Sequence, residues 1–243
     1  MRKLLLPLSM GLLCTSFTII PANPGTPGAV VHFPSIKTDS SLSATYAADI
    51  LYNATKLEEH GLSKEAFDYA WKGYQQLLEK KLIPRTCYLS ICDFSQSSAK
   101  KRLYIINTEN NTLVTNTYVA HGKNSGGEYA TKFSNTPESL QSSLGFYITQ
   151  QTYTGEHGLS LRINGVDPGF NDKALERSIV IHGAAYVDDA RARAGVFMGR
   201  SYGCPAVPQN ESAKIISTIK NGTCLFIYHP SRNYLLRSKI LNG

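Results

Sequence analysis

Two segments decide how this chain folds and where its chemistry lies: residues 178–183, which read SIVIHG, and residues 199–205, which read GRSYGCP. The first is an apolar strand that delivers His182, and the second is a glycine-containing turn that exposes Cys204. A thiol is nucleophilic only as the thiolate, and an imidazole within hydrogen-bond reach can take its proton. The backbone N–H groups of Gly203 and Cys204 can also converge on a developing oxyanion. Together the segments predict a cysteine nucleophile with a histidine base.

The alternative is a structural role, in which Cys204 is a buried small hydrophobe and His182 is a hydrogen-bonded histidine at a strand end. For an isolated Cys/His pair, this alternative is the more common outcome. The glycines beside both residues and the Ser-x-Gly-Cys spacing at 201–204 favour catalysis.

The 199–208 segment resembles the L,D-transpeptidase (YkuD-type) family, whose signature is a histidine followed, after a loop, by Ser-x-Gly-Cys. It is most similar to the murein L,D-transpeptidase catalytic domains, where the cysteine lies in a Gly-Arg-Ser-x-Gly-Cys-Pro-Ala-Val-Pro run. The similarity covers most of residues 85–230. The wider family usually has an arginine and an asparagine soon after the cysteine, and this chain has Ala206, Val207 and Pro208 there.

This resemblance implies a role for four residues. Cys204 would be the nucleophile and His182 the base, the carbonyl of Gly183 would orient the imidazole, and Ser201 would support the turn. Neither a metal nor an organic cofactor is needed for this chemistry.

The same resemblance implies an exported cysteine acyltransferase that acts on peptidoglycan. The thiol would attack the carbonyl at the L-centre of the diamino acid in a tetrapeptide stem and expel the terminal D-alanine. The resulting acyl group would then pass to an amine of a neighbouring stem. Carbapenem β-lactams would acylate the same thiol. With water as acceptor, the site would instead be an L,D-carboxypeptidase or a cross-link hydrolase. A third possibility is a wall-binding module whose thiol is idle.

Four further residues are candidate substrate contacts. Arg200 and Tyr202 lie on the turn that carries the nucleophile, and an arginine can hold a substrate carboxylate through two parallel hydrogen bonds. His121 lies in a long glycine-rich loop, and Arg162 alternates with apolar neighbours along a strand. The alternatives are a surface ion pair for either arginine and a solvated loop for the histidine.

The N-terminus reads as a secretory signal, with Arg2 and Lys3 before an apolar stretch at 4–13 that is too short to span a membrane. We therefore expect a signal peptide at 1–22, a flexible spacer at 23–40, and a mature protein in the periplasm or cell envelope. No stable membrane span is expected in the mature form.

The net charge is +7, without a long basic run or an aromatic-interleaved basic motif, which argues against nucleic-acid binding. Of the five cysteines, Cys14 would be acylated in a lipoprotein, but the large residue before it is a poor fit for that processing. Cys87 and Cys92 would point to opposite faces of one strand and should not bridge. Cys224 lies in an apolar strand and reads as core packing, and no Cys/His spacing matches a zinc site.

The expected fold is α+β and β-rich, a mixed or antiparallel sandwich or an open barrel with an N-terminal helical hairpin. The hairpin is placed at 41–84, the catalytic domain at 85–231, and a C-terminal tail at 232–243. A helix is expected at Gln209–Lys220. Strands are expected at Tyr88–Phe94, Leu103–Asn107, Leu113–Val119, Leu144–Thr149, Leu159–Ile163, Ser178–Ile181 and Cys224–Tyr228.

Overall fold

A computed structural model describes residues 40–243, which contain ten strands and six helices. The helices are α1 (Ser40–Ala54), α2 (Lys64–Glu79), α3 (Asp189–Arg193), α4 (Gln209–Ile219), α5 (Arg232–Arg237) and α6 (Lys239–Asn242). The strands are β1 (Tyr88–Asp93), β2 (Leu103–Asn107), β3 (Thr112–Thr117), β4 (His121–Gly122), β5 (Gly145–Gly155), β6 (Gly158–Gly165), β7 (Val180–Ala184), β8 (Gly199–Ser201), β9 (Ala206–Pro208) and β10 (Cys224–Tyr228). The expected signal peptide and almost all of the spacer lie outside the described residues.

Eight of the strands form one mixed sheet in the order β3-β2-β1-β10-β5-β6-β7-β9. Its two edges approach each other, because the chain that leaves β3 reaches Ala120, whose N–H donates to the carbonyl of Ala206 in β9 over 2.8 Å. The short strands β4 and β8 pair beside this junction. The sheet is therefore nearly closed into a barrel, as the expected β-rich fold allowed.

Helices α1 and α2 form the predicted hairpin, and α2 packs on β1 and β10. Ser63 caps α2 by accepting from the N–H of Ala66, and the apolar stripe that follows is buried. The contact is close: a Cβ added at Gly73 would fall 2.0 Å from the ring of Phe146 on β5. Glycine at this position lets the helix backbone lie directly against the sheet.

Most predicted elements agree with the structure to within two or three residues, and β2 and β10 match their predicted bounds. Strand β5 is longer than expected, since it continues past a register shift between Thr149 and Thr152 to Gly155. Helix α4 buries Ile215, Ile216 and Ile219 as predicted. Among the described residues, none of the helices has both the length and the apolar character needed to cross a membrane.

The segment predicted as a C-terminal tail, residues 232–243, is folded into α5 and α6. Tyr234 of α5 and Ser238 at the start of α6 both donate to the buried carboxylate of Asp167. The same carboxylate accepts from the N–H of Phe146 over 2.8 Å, which connects the C-terminal helices to the sheet. Helices of four to six residues are too short to give a periodic sequence signal.

Candidate active site

Parallel pairing of β7 with β9 brings the two predicted catalytic residues together. His182 is the register partner of Ala206, so the chain two residues earlier, at Cys204, runs beside Val180. The N–H of Val180 lies 3.4 Å from the Cys204 sulfur and donates to it. The pairing joins segments that are separated by more than twenty residues, and it brings the candidate nucleophile and the candidate base to one side of the site.

The turn before the nucleophile is fixed by Ser201. Its hydroxyl donates to the carbonyl of Cys204 over 2.7 Å and accepts from the N–H of Gly203 over 3.2 Å. Gly203 has a φ of 117°, and a Cβ there would lie 2.7 Å from the carbonyl oxygen of Gln141. Both the backbone conformation and the close approach require glycine.

These contacts correct the expected oxyanion pair. The N–H of Gly203 is already bound to the Ser201 hydroxyl, so it is not free to receive an oxyanion in this conformation. Within residues 40–243, the N–H of Cys204 makes no hydrogen bond. One donor of the expected pair is available.

The imidazole of His182 is held in one orientation by the next residue along the chain. Its Nδ1 lies 2.9 Å from the carbonyl oxygen of Gly183, and because a carbonyl can only accept, the hydrogen-bond pattern assigns the proton to Nδ1. The opposite nitrogen, Nε2, is then an acceptor. Burial lowers the pKa of His182 below its ordinary value, and the nearby His157 lowers it further, while the Gly183 carbonyl acts in the opposite direction.

The Cys204 thiol is half-buried, and burial raises its pKa. The N–H of Val180 and the charge of Arg177 act against that rise without cancelling it. A high thiol pKa beside a low imidazole pKa means that both groups are neutral at rest. A nucleophilic attack by this thiol would therefore need a general base to take its proton.

Both residues line one cavity of about 910 Å³. Its walls come from the β5–β6 turn, from β7, and from the segment that contains β8 and Cys204. Two arginines, Arg177 and Arg200, also line it. The cavity is large enough to hold a peptide segment, and its cationic side chains suit a ligand that carries carboxylates.

The structure places two of the predicted substrate contacts in this cavity. Arg200 is exposed, and its guanidinium lies over the ring of Tyr186 with 5.6 Å between guanidinium carbon and ring centre. No carboxylate of residues 40–243 forms an ion pair with it, which removes the alternative of a surface pair within the described chain. Tyr202 is 69% exposed and packs under the ammonium group of Lys123.

The other two predicted contacts do not line the cavity. His121 is fully buried, with its Nδ1 2.7 Å from the guanidinium of Arg102, because the polar loop that carries it folds inward as β4. The prediction that it contacts substrate is wrong. Arg162 is exposed on β6 beside the cavity, but its guanidinium stacks on the ring of Tyr153 instead of entering it.

Two residues of the site were missed by sequence reasoning. Arg177 donates to the loop carbonyls of Ser134 and Gln141 and lies close enough to Cys204 to influence the thiol. His157 stacks on His182. Arg177 stands directly before the 178–183 strand, where a lone arginine gives no signal, and the ring of His157 reaches the site only through the hairpin that presents it.

The two aspartates in the loop after β7 do not complete a catalytic triad with Cys204 and His182. Asp188 caps α3 by accepting from the N–H of Arg191, and Asp189 accepts from the hydroxyl of Tyr118. The Gly183 carbonyl occupies the place on the imidazole that a third catalytic carboxylate would take.

The four cysteines of the described chain are free, as predicted for Cys87 and Cys92. Cys92 and Cys224 are buried in the core, and burial raises the pKa of Cys92 to about 12. Cys204 is the thiol of this set that lines the large cavity.

A nearly closed sheet that brings a half-buried thiol and a buried histidine to one cavity defines a class of candidate thiol enzymes. Within that class, residues 58–228 match the L,D-transpeptidase catalytic domain family. The chain belongs to this family. The resemblance first noticed in the 199–208 segment is thereby confirmed over most of the described chain.

Solved structures similar to this one include L,D-transpeptidases. One from Mycobacterium smegmatis shares 10% identity over 59% of each chain with a TM-score of 0.37. An L,D-transpeptidase in complex with imipenem shares 9% identity over 58% of this chain and 59% of its own, with a TM-score of 0.36. One from Xylanimonas cellulosilytica shares 14% identity over 74% of this chain and 93% of its own, with a TM-score of 0.33.

This chain thus covers 59% of the length of the first two of these relatives. At such identities and TM-scores the likeness carries no argument about function. No curated protein matches the chain. The family assignment rests on residues 58–228.

Proposed function

We propose that this protein is an exported cysteine acyltransferase that acts on peptidoglycan stem peptides as an L,D-transpeptidase. The observation that carries the proposal is the joint placement of Cys204 and His182 on one large cavity, with the imidazole Nδ1 committed to Gly183. Family membership supplies the substrate class. The apolar stretch near the N-terminus, which lies outside the described residues, supports export.

The proposed first step forms a thioester. His182 Nε2 takes the thiol proton as the Cys204 sulfur bonds to the carbonyl carbon of the L-centre diamino acid. The free N–H of Cys204 receives the developing oxyanion. Collapse of the tetrahedral intermediate breaks the C–N bond, and the imidazolium returns its proton to the departing amine of D-alanine.

The second step transfers the acyl group. An amine of a neighbouring stem attacks the thioester carbonyl, His182 accepts the amine proton, and the C–S bond breaks to regenerate the thiol. If water attacks instead, the same two steps give an L,D-carboxypeptidase. The difference between the outcomes is the access of water to the thioester.

Arg200 is proposed to bind a carboxylate of the stem peptide. It is exposed on the wall of the cavity, four residues before the nucleophile, and it lacks an ionic partner among residues 40–243. Because a guanidinium grips a carboxylate through two parallel hydrogen bonds, Arg200→Lys should keep the charge and still impair turnover. Acylation by a small carbapenem should suffer less. Equal turnover of stem peptides by Arg200→Lys, Arg200→Ala and the unaltered protein would remove Arg200 from the site.

The test of the proposed function is incubation of the mature protein with purified tetrapeptide muropeptides, followed by mass spectrometry. Release of D-alanine with a cross-linked dimer supports transpeptidation. Release of D-alanine with tripeptide alone would reassign the site to hydrolysis. Unchanged tetrapeptide, with the protein folded, would contradict the proposed function.

A further inference from the structure

The tip of the β5–β6 hairpin carries a second histidine that lies directly on the base. The rings of His157 and His182 are stacked, with centroids 4.2 Å apart and 20° between their planes. His157 is exposed, whereas His182 is only 4% exposed. We propose that His157 is a positioning residue whose ring caps His182, holds its Nε2 toward the nucleophile, and shields it from water. This inference rests on the proposed function, since it requires His182 to be the general base.

The hairpin is built to place a ring at this position. Gly155 and Gly158 are paired at the ends of the strands and leave Glu156 and His157 as a two-residue turn. Gly158 has a φ of 73°, a conformation that glycine adopts at low cost. Because Ser160 of β6 is the register partner of His182, the turn three residues earlier passes over the end of β7. The tip of the β5–β6 hairpin therefore lies over His182.

Two contacts at right angles fix an imidazole better than one. The hydrogen bond from Nδ1 to the Gly183 carbonyl lies in the plane of the His182 ring and leaves a rocking motion about that bond. The stack with His157 covers a ring face and opposes that motion. Together they define where Nε2 points. A base displaced by about 1 Å can lose a rate factor on the order of 10².

The stack also favours the neutral imidazole that the mechanism requires. Two neutral rings stack readily, but two imidazolium rings in face contact would repel each other. The charged and titratable groups that face His182 come from several elements. They are Tyr153 from β5, Glu156 and His157 from the hairpin tip, Cys204 from the segment before β9, and Arg177, Tyr186, Arg200 and Tyr202 around the shared cavity. Of these, His157 is the group in ring contact with it.

The alternative is that His157 is a solvated turn residue whose ring rests on the site without consequence. The two readings differ in what truncation does. If the ring is a cap, His157→Ala exposes His182, so the pKa of the base rises and its orientation loosens. A phenyl ring restores both the cover and the stack, whereas it cannot restore any function that needs a second imidazole.

The experiment compares His157→Ala and His157→Phe with the unaltered protein, by the rate of Cys204 acylation with a carbapenem as a function of pH. Thr154→Ala, an exposed change on the same hairpin outside the cavity wall, is the matched control. His157→Ala should lower the acylation rate at neutral pH by roughly tenfold. It should also move the acid limb of the pH–rate profile, the range where the rate falls because His182 is protonated, to higher pH. His157→Phe should stay within roughly threefold of the unaltered rate at neutral pH. The acidic side of its pH–rate profile should lie closer to that of the unaltered protein than to that of His157→Ala, because phenyl restores the cover but not the charge effect of His157.

Two results would overturn the inference. One is a His157→Ala variant with the unaltered rate and acid limb. The other is equal impairment of the Ala and Phe variants, since a ring that cannot titrate would then fail to replace His157.

A second readout separates this inference from the proposed function. The pKa of His182 can be followed by nuclear magnetic resonance without any turnover, in Cys204→Ala and in Cys204→Ala/His157→Ala. A higher pKa in the double variant supports the cap even if muropeptides prove not to be substrates. An unchanged pKa overturns the cap even if the enzyme is active.

Discussion

Ser201→Ala removes the side chain that holds the nucleophile turn in shape. The Ser201 hydroxyl makes two hydrogen bonds, to the carbonyl of Cys204 over 2.7 Å and from the N–H of Gly203 over 3.2 Å. A net contribution of about 0.5–1.5 kcal/mol for each gives an expected loss of about 1–3 kcal/mol in the free energy of unfolding. Ser201 is only 5% exposed, so water cannot fully replace the lost bonds. The acylation rate should fall by roughly tenfold, because the thiol is no longer held in place.

The loss of stability is measured by urea denaturation, and the rate by intact mass after mixing with a carbapenem. Ser217→Ala is the matched control, because its hydroxyl donates to a carbonyl within its own helix, that of Lys214, and is exposed. It should change neither quantity measurably. Equal effects of the two substitutions, or a destabilised Ser201→Ala that still acylates at the original rate, would refute the assigned role of the hydroxyl.

Three further results are expected. His182→Gln should slow acylation by roughly 10²–10⁴-fold and make the rate climb steeply at alkaline pH, where the thiol ionises unaided; an unaltered pH profile would show that another group activates the thiol. Cys224→Ala should cost about 1–3 kcal/mol of stability in urea denaturation and leave acylation intact, since this buried thiol packs in the core. Burial, with the charge of Arg102, lowers the pKa of His121 to about 4, so its unfolded form takes up a proton first as pH falls below its ordinary value of 6.5. Stability should therefore drop by up to about 3 kcal/mol across that window, and His121→Asn, which keeps an acceptor for Arg102, should flatten this part of the stability–pH curve; parallel curves would refute the assignment.

Local patterns in the sequence predicted most of the elements, because apolar runs bounded by glycine and polar turns identify strands directly. They also singled out the two candidate catalytic residues, since Gly203 marks the sharp turn before Cys204 and Gly183 follows His182 within strand β7. The hydrogen bond from His182 to the Gly183 carbonyl likewise involves adjacent residues, and a local argument could reach it.

What local patterns could not predict is the pairing that brings distant segments together. The β7–β9 register fixes which side chains share the cavity, and it is set by tertiary packing. His121 was misjudged because a glycine-rich polar loop looks solvated, whereas the buried guanidinium of Arg102 gives the imidazole an internal partner. His157 was missed for the opposite reason: it lies in an exposed turn, and only the overhang of the hairpin places its ring on the base.

The central claim is that Cys204 is the acyl-accepting nucleophile. The most direct test is the intact mass of the mature protein after incubation with a carbapenem, with the modified peptide then located by digestion. Cys87, which is half-buried and free, provides the matched control through Cys87→Ala. A single carbapenem adduct on the peptide that contains Cys204, retained in Cys87→Ala and absent in Cys204→Ala, is the predicted result. An unmodified folded protein, or an adduct that survives in Cys204→Ala, would contradict it.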